Sequence, residues 1–198
     1  MKRLIFSLCL ICLCFSCSEK EDAYPSIVSE FADIFSDNRG AFIKFATDDD
    51  KTYLIQNKVT GYQPNAFYRG VCGFVPDGTS ATLYQLDAVY ILRDSTSRVC
   101  HDPINVTSIW RAGKYINMQL TPKTRGNGHF WGYCTDSTRV GHIFLSLHHN
   151  QNKDPLAYSE TVYASLPVDS LKGVGLGDSI TLSICTFDGI IRQFKFTK

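Results

Sequence analysis

Ser179-Ile180-Thr181-Leu182-Ser183-Ile184 alternates polar and apolar side chains, and Asp188-Gly189 follows before a second apolar-rich run over 190–196. A period of two is the pleat of a half-buried strand. Asp-Gly between two such runs predicts a two-residue hairpin. The same alternation recurs upstream. Ile116, Met118 and Leu120 oppose Tyr115, Asn117 and Gln119, and the pattern returns in Ile143, Leu145 and Leu147 and in Val162, Ala164 and Leu166. One apolar face per strand predicts antiparallel sheets packed face to face, so the fold class is all-β.

Working towards the N-terminus, 93–103 is polar and turn-rich (Asp94-Ser95-Thr96-Ser97) and marks a domain boundary. Five strands are predicted before it, over 27–35, 41–46, 52–56, 67–75 and 81–92. Asp37-Asn38-Arg39-Gly40, Asp48-Asp49-Asp50-Lys51 and Pro76-Asp77-Gly78 supply turns between them. In 27–35 the residues Ile27, Phe31, Ile34 and Phe35 would also share a helix face, but two turns in quick succession favour a meander. Two β-domains result, 26–92 and 103–198.

The chain has 198 residues, of which 44% are hydrophobic, 13% aromatic and 20% charged, enough to bury a core. Its formal charge of +1 argues against a nucleic-acid partner, since neutralising phosphates needs clustered Lys and Arg. Lys2 and Arg3 precede an apolar run over 4–15 broken by Ser7, which is signal-peptide length and short of a membrane span. A signal peptide is therefore expected over 1–16. Ser16 before Cys17 resembles a bacterial lipobox, with Cys14 and Phe15 departing from its usual residues. Lipidation of Cys17 is expected, with 17–25 as a polar tether. Lys20-Glu21-Asp22 resembles the tag that sends Bacteroidota lipoproteins to the outer face of the outer membrane. Removing 1–16 deletes Lys2 and Arg3 and no acidic residue, taking the charge from +1 to −1, so attachment would rest on the lipid.

Four cysteines remain beyond the leader: Cys72, Cys100, Cys134 and Cys185. They contain no C-x-x-C, which leaves zinc ribbons and thioredoxin-like chemistry unsupported. Export permits disulfides, and Cys72–Cys100 closes the shortest loop available to Cys72. Pairing with Cys134 or Cys185, or burial as free thiols, stays open.

Catalytic and ligand motifs are sparse. The five histidines, His101, His129, His142, His148 and His149, include no H-E-x-x-H. His148 and His149 would point to opposite faces of a strand, so no metal site and no cofactor is expected. The stretch from His149 to Asp154 vaguely resembles a calcium loop but carries one carboxylate beside Lys153, and reads as a turn. Gly173-Val174-Gly175-Leu176-Gly177 precedes a strand rather than a helix, so it is no phosphate cradle. Carboxylate pairs such as Asp48 with Asp50 and Asp94 with Asp102 lie in turns.

Several segments taken in order carry a resemblance. They are Ala23-Tyr24-Pro25-Ser26, Phe45-Ala46-Thr47-Asp48-Asp49, the run Asp102-Pro103-Ile104-Asn105-Val106-Thr107-Ser108-Ile109-Trp110, Tyr115-Ile116-Asn117, Leu145-Ser146-Leu147-His148, Tyr163-Ala164-Ser165-Leu166-Pro167 and Thr186-Phe187-Asp188-Gly189. Together they resemble the NigD-like lipoproteins of Bacteroidota. The resemblance implies an N-terminal OB-like barrel, a C-terminal β-sandwich and no catalytic residues. The expectation is a non-catalytic, surface-exposed outer-membrane lipoprotein that binds a glycan or peptide, with Tyr68, Tyr84, Tyr115 or Trp131 available to stack on a sugar. A bacteriocin-immunity role and a hydrolase without a recognisable motif are the alternatives.

Overall fold

The computed structural model describes residues 25–95 and 99–198. The expected signal peptide, the lipidation site Cys17 and the Lys20-Glu21-Asp22 tag lie outside the described residues. The first half forms β1 (Val28–Ser36), β2 (Phe42–Thr47), β3 (Thr52–Ile55), β4 (Phe67–Asp77) and β5 (Ser80–Ile91). The second forms β6 (Asn105–Ala112), β7 (Tyr115–Thr121), β8 (Lys123–Thr124), β9 (Phe130–Arg139), β10 (His142–Asn150), β11 (Tyr158–Ser159), β12 (Val162–Pro167), β13 (Ser179–Cys185) and β14 (Ile191–Thr197). A single 3-10 turn, Val168–Ser170, is the described helical element.

β3-β2-β1-β4-β5 pair in that order, and a parallel β3–β5 pairing closes them into a five-stranded ring. Parity explains the closure. Ala32 and Ile34 of β1, Phe45 of β2 and Cys72 and Phe74 of β4 point inward and form one core with Phe42, Ala81 and Leu83. Phe31 and Asp33 of β1 and Arg69 and Val71 of β4 alternate with them and point outward, yet these too are buried.

What covers them is the second half. β5 is long enough to serve both parts. Its first residues pair with β4, and Val89–Ile91 pair in parallel with β12. β12 pairs with β7 and β7 with β6, so one eight-stranded sheet runs from the ring into the sandwich. The inner face of that extension packs Ile116, Met118, Leu120, Ala164 and Leu166 against Ile143, Leu145, Leu147, Ile180, Leu182 and Ile184 of the second sheet, β14-β13-β10-β9. Its other face bears Tyr115, Asn117, Tyr163 and Ser165, which lie against the outward residues of β1 and β4.

Three expectations are corrected. The sheets are mixed rather than antiparallel, because β3–β5, β5–β12 and β10–β13 are parallel. The chain leaves β10, visits the other sheet as β12, and returns as β13, the crossover connection that parallel neighbours require. The last hairpin has three loop residues, not two. Gly189 donates to the Thr186 carbonyl and Thr186 to that of Ile190, with Gly189 at φ +76° as the left-handed residue. Cys72 is a free thiol within the ring core rather than the partner of Cys100; its position in β4 faces inward, and burial pushes the thiol up to about 12.

Candidate functional site

Two regions gather polar and aromatic side chains. The first is the buried seam between ring and sandwich. Asp33 and Arg69 are register partners on β1 and β4, and Arg69 Nη1 donates to Asp33 Oδ1 at 3.0 Å. Nη2 donates to Asp48 Oδ2 at 2.7 Å and to Asn117 Oδ1 at 3.1 Å, and Nε to Ser165 Oγ at 3.2 Å. The guanidinium lies over the Tyr115 ring, 3.7 Å from its centroid, and the Tyr115 hydroxyl donates to Asp33. Burial first, and the Asp33 charge second, push the Tyr115 phenol above its usual range. Asn117 Nδ2 donates to Asp48 as well, at 2.6 Å.

Lys114, at the tip of the β6–β7 hairpin, adds an ion pair to Asp33 at 2.7 Å. The preceding residue, Gly113, has φ +48°, and a Cβ there would lie 2.4 Å from the Asp48 carbonyl oxygen. That close approach is why the hairpin tip can rest on the Asp48 turn. Two cavities of about 450 Å³ flank this turn, one walled by Glu30, Phe31 and Trp110, the other by Asp50, Arg111 and Lys114. The seam spends its polar groups on one another, so its chemistry is cohesion.

The second region lies at the far end of the sandwich. His149, near the end of β10, stacks on Trp131 of β9, centroids 4.4 Å apart at 14°. His149 Nδ1 sits 2.9 Å from the Asp102 carbonyl, its Nε2 3.0 Å from His129 Nδ1, and His129 Nε2 3.2 Å from Asp154 Oδ2. Burial pushes the Asp154 carboxyl up, but hydrogen bonds from Thr124, the Arg125 amide and His129 outweigh it and hold it below its ordinary value. Asp154 is thus a carboxylate and only accepts, as does the Asp102 carbonyl. The outer nitrogens of the two rings must therefore both donate, and the contact between the rings needs one further proton to be a hydrogen bond. Burial holds His149 down to about 4. Asp154 Oδ1 is buried without a hydrogen-bond partner.

Trp131 and His129 wall a cavity of about 260 Å³ with Tyr90 and Tyr158. An adjoining cavity of about 490 Å³ shares Tyr90, Glu160 and Val162 with it and adds Asp87 and Gln119. Of the four residues proposed for sugar stacking, Tyr115 is locked in the seam and Tyr68 accepts a hydrogen bond from the Gln63 amide beside Phe42 and Tyr62. Tyr84 is exposed on β5, and Trp131 lines the cavity. The expectation that His148 and His149 diverge is met, since His148 Nδ1 accepts from the Cys100 amide while His149 turns to Trp131. Among the described residues no group of three or more His, Cys, Asp or Glu is arranged to hold a metal ion. Sequence reading missed the union of His129, His149 and Asp154, and the part of Tyr90 and Tyr158. The cue was Asp154, a lone acid ending a polar turn.

A β-ring fused through a shared strand to a two-sheet sandwich defines the class of protein. The family model of the NigD-like C-terminal beta sandwich domain matches residues 88–198, and the chain belongs to that family. Solved structures agree in fold. A NigD-like immunity protein from Bacteroides caccae is 23% identical with TM-score 0.67, over 88% of this chain and 98% of that one. A protein of Parabacteroides distasonis, provisionally described as toxin-related, is 15% identical with TM-score 0.70, over 87% and 93%. A Bacteroides fragilis protein, provisionally described as a lipoprotein, is 11% identical with TM-score 0.65, over 87% and 98%. At these identities the likeness carries the fold alone. No curated protein matches the chain.

Proposed function

We propose that the chain is a non-catalytic binding or accessory lipoprotein, held by a lipid on Cys17 in the outer membrane and displayed at the cell surface by the Lys20-Glu21-Asp22 tag. The observation that carries the binding role is the aromatic-walled groove at Tyr90, Trp131 and Tyr158. Concave sites lined by aromatic rings with a few polar groups are what small ligands occupy. The non-catalytic reading is supported by the neighbouring histidines. The ring nitrogens of His129 and His149 sit against protein groups, namely Asp154, the Asp102 carbonyl and each other. The leader over 1–16 and the likeness to a protein described as a lipoprotein support the anchor. No helix among the described residues is long and apolar enough to cross a membrane. The five-stranded ring is compatible with an OB-like barrel.

The test has two arms. Cys17→Ser should release the chain from the membrane fraction. Protease added to intact cells should cut the wild-type chain, and much less of it once Lys20, Glu21 and Asp22 are all Ala. Retention of Cys17→Ser in the membrane refutes the anchor, and full protection of the wild type refutes display. A second reading, an immunity factor that intercepts a peptide toxin, is favoured by the likeness to a structure described as a NigD-like immunity protein. There a peptide, not a glycan, would occupy the groove.

A further inference from the structure

We propose that the groove between Tyr90, Trp131 and Tyr158 takes an uncharged oligosaccharide; the proposal rests on the binding-module reading above and names its ligand. Two adjoining cavities of about 260 and 490 Å³ meet at Tyr90 and Glu160, and together they fall in the size range of ligand sites. Tyr90 is 48% exposed and Tyr158 56%, a cost in water that an apolar pyranose face would relieve. Trp131 is held in place before any ligand arrives. It lies flat on His149, which is tied to the Asp102 carbonyl and, through His129, to Asp154. A pre-set ring loses little rotamer freedom on binding.

Charge decides the ligand class. Neither cavity lining contains Lys or Arg. Phosphates, sulfated glycans and nucleic acids would find no Lys or Arg to pair with and would meet the carboxylates of Asp87 and Glu160. Sugar hydroxyls suit the same groups, since they donate to a carboxylate and accept from the Gln119 and Asn127 amides. A cationic peptide is the competitor. Asp87 Oδ2 accepts from Gln85 Nε2 at 2.8 Å but keeps its charge, so both carboxylates would attract such a peptide and titration decides between the two ligands.

The experiment uses the mature chain expressed from residue 18, so that no lipid is attached. The chain has two tryptophans, and Trp110 lies at the seam, so Trp110→Phe leaves Trp131 as the reporter. Maltohexaose, cellohexaose, mannohexaose and xylohexaose are titrated beside a heparin hexasaccharide and a lysine-rich peptide. At least one neutral hexasaccharide should shift Trp131 emission with a saturable isotherm, and heparin should not. By calorimetry, Tyr90→Ala and Trp131→Ala should weaken binding about tenfold or more, and the exposed Tyr84→Ala should leave it unchanged. Glu160→Gln keeps a hydroxyl partner and should alter saccharide binding less than about threefold. Peptide binding that is lost in Glu160→Gln, with no neutral saccharide bound, overturns the saccharide and leaves the binding module. Heparin binding at Trp131 also overturns the saccharide's neutrality. Failure of every probe overturns both readings.

Discussion

Arg69 is the residue on which the seam depends. Its side chain is fully buried and faces two carboxylates, an amide and a hydroxyl. Removing one member of a buried ion network strands the others, at about 3–5 kcal/mol. Arg69→Met should therefore lower the free energy of urea unfolding by about that much, with Arg69→Lys intermediate because an ammonium cannot fan to four partners. Converting Asp33 and Asp48 to Asn alongside Arg69→Met should recover a large part of the loss. If Arg69→Met unfolds at the wild-type urea midpoint, the seam contributes little.

His149 sets a second expectation. Burial lowers its pKa from 6.5 in the unfolded chain to about 4 in the fold. Between those values the unfolded chain binds more protons. The contribution is complete above pH 6.5 and is lost as pH falls towards 4, by about 2–4 kcal/mol. His129 and Asp154 face the ring on one side and Asp102 and Trp131 on others, and His148, also lowered by burial, acts in the same direction. Urea unfolding at pH 7.5 and 4.5 should show the fall, and His149→Gln should reduce it. An equal fall in that variant would assign the loss elsewhere.

Among elements, the hairpins offer a controlled comparison. Gly113 and Gly189 both have positive φ, but a Cβ at Gly113 would collide with the Asp48 backbone, while nothing lies within 4 Å of one at Gly189. Gly189→Ala should cost only the left-handed penalty of about 1–2 kcal/mol. Gly113→Ala should cost more in the same urea titration, because the tip must lift from the Asp48 turn and carry Lys114 from Asp33. Equal costs would mean that the tip is not seated.

The elements also show what sequence could reveal. Strands with one clean apolar face, such as β7, β10 and β13, were legible from period two, as were the five strands of the ring. β9 was not, because 135–139 is exposed throughout and has no alternation to read. The inward turn of Cys72 follows from parity with Phe74, yet loop length alone suggested a disulfide. Trp131 was within reach as a lone aromatic. Its support by His149, His129 and Asp154 was not, since those residues converge from separate elements and share no spacing rule.

For the whole molecule, β5 is the member common to both parts, and the family match begins at residue 88, just before Val89 pairs with Tyr163. The division into 26–92 and 103–198 remains a proposal about folding units, and it can be sharpened. A fragment over 88–198 retains the β5 segment that pairs with β12, whereas one over 103–198 bares that edge of β12. The longer fragment should show the higher urea midpoint and stay monomeric in sedimentation, while the shorter should self-associate. Equal midpoints would mean that the β5 segment belongs to the ring alone.

The shared strand has a consequence for the order of events during synthesis. A ribosome delivers β1 to β5 well before β12, and Val89–Ile91 must wait for a partner more than half of the remaining chain away. Pairings so distant in sequence form slowly. During that wait the nascent chain holds up an unsatisfied strand edge with Val89 and Tyr90 on it, a template that another nascent copy could seize. The birth of the molecule, more than its finished state, is where crowding and chaperones would decide its yield.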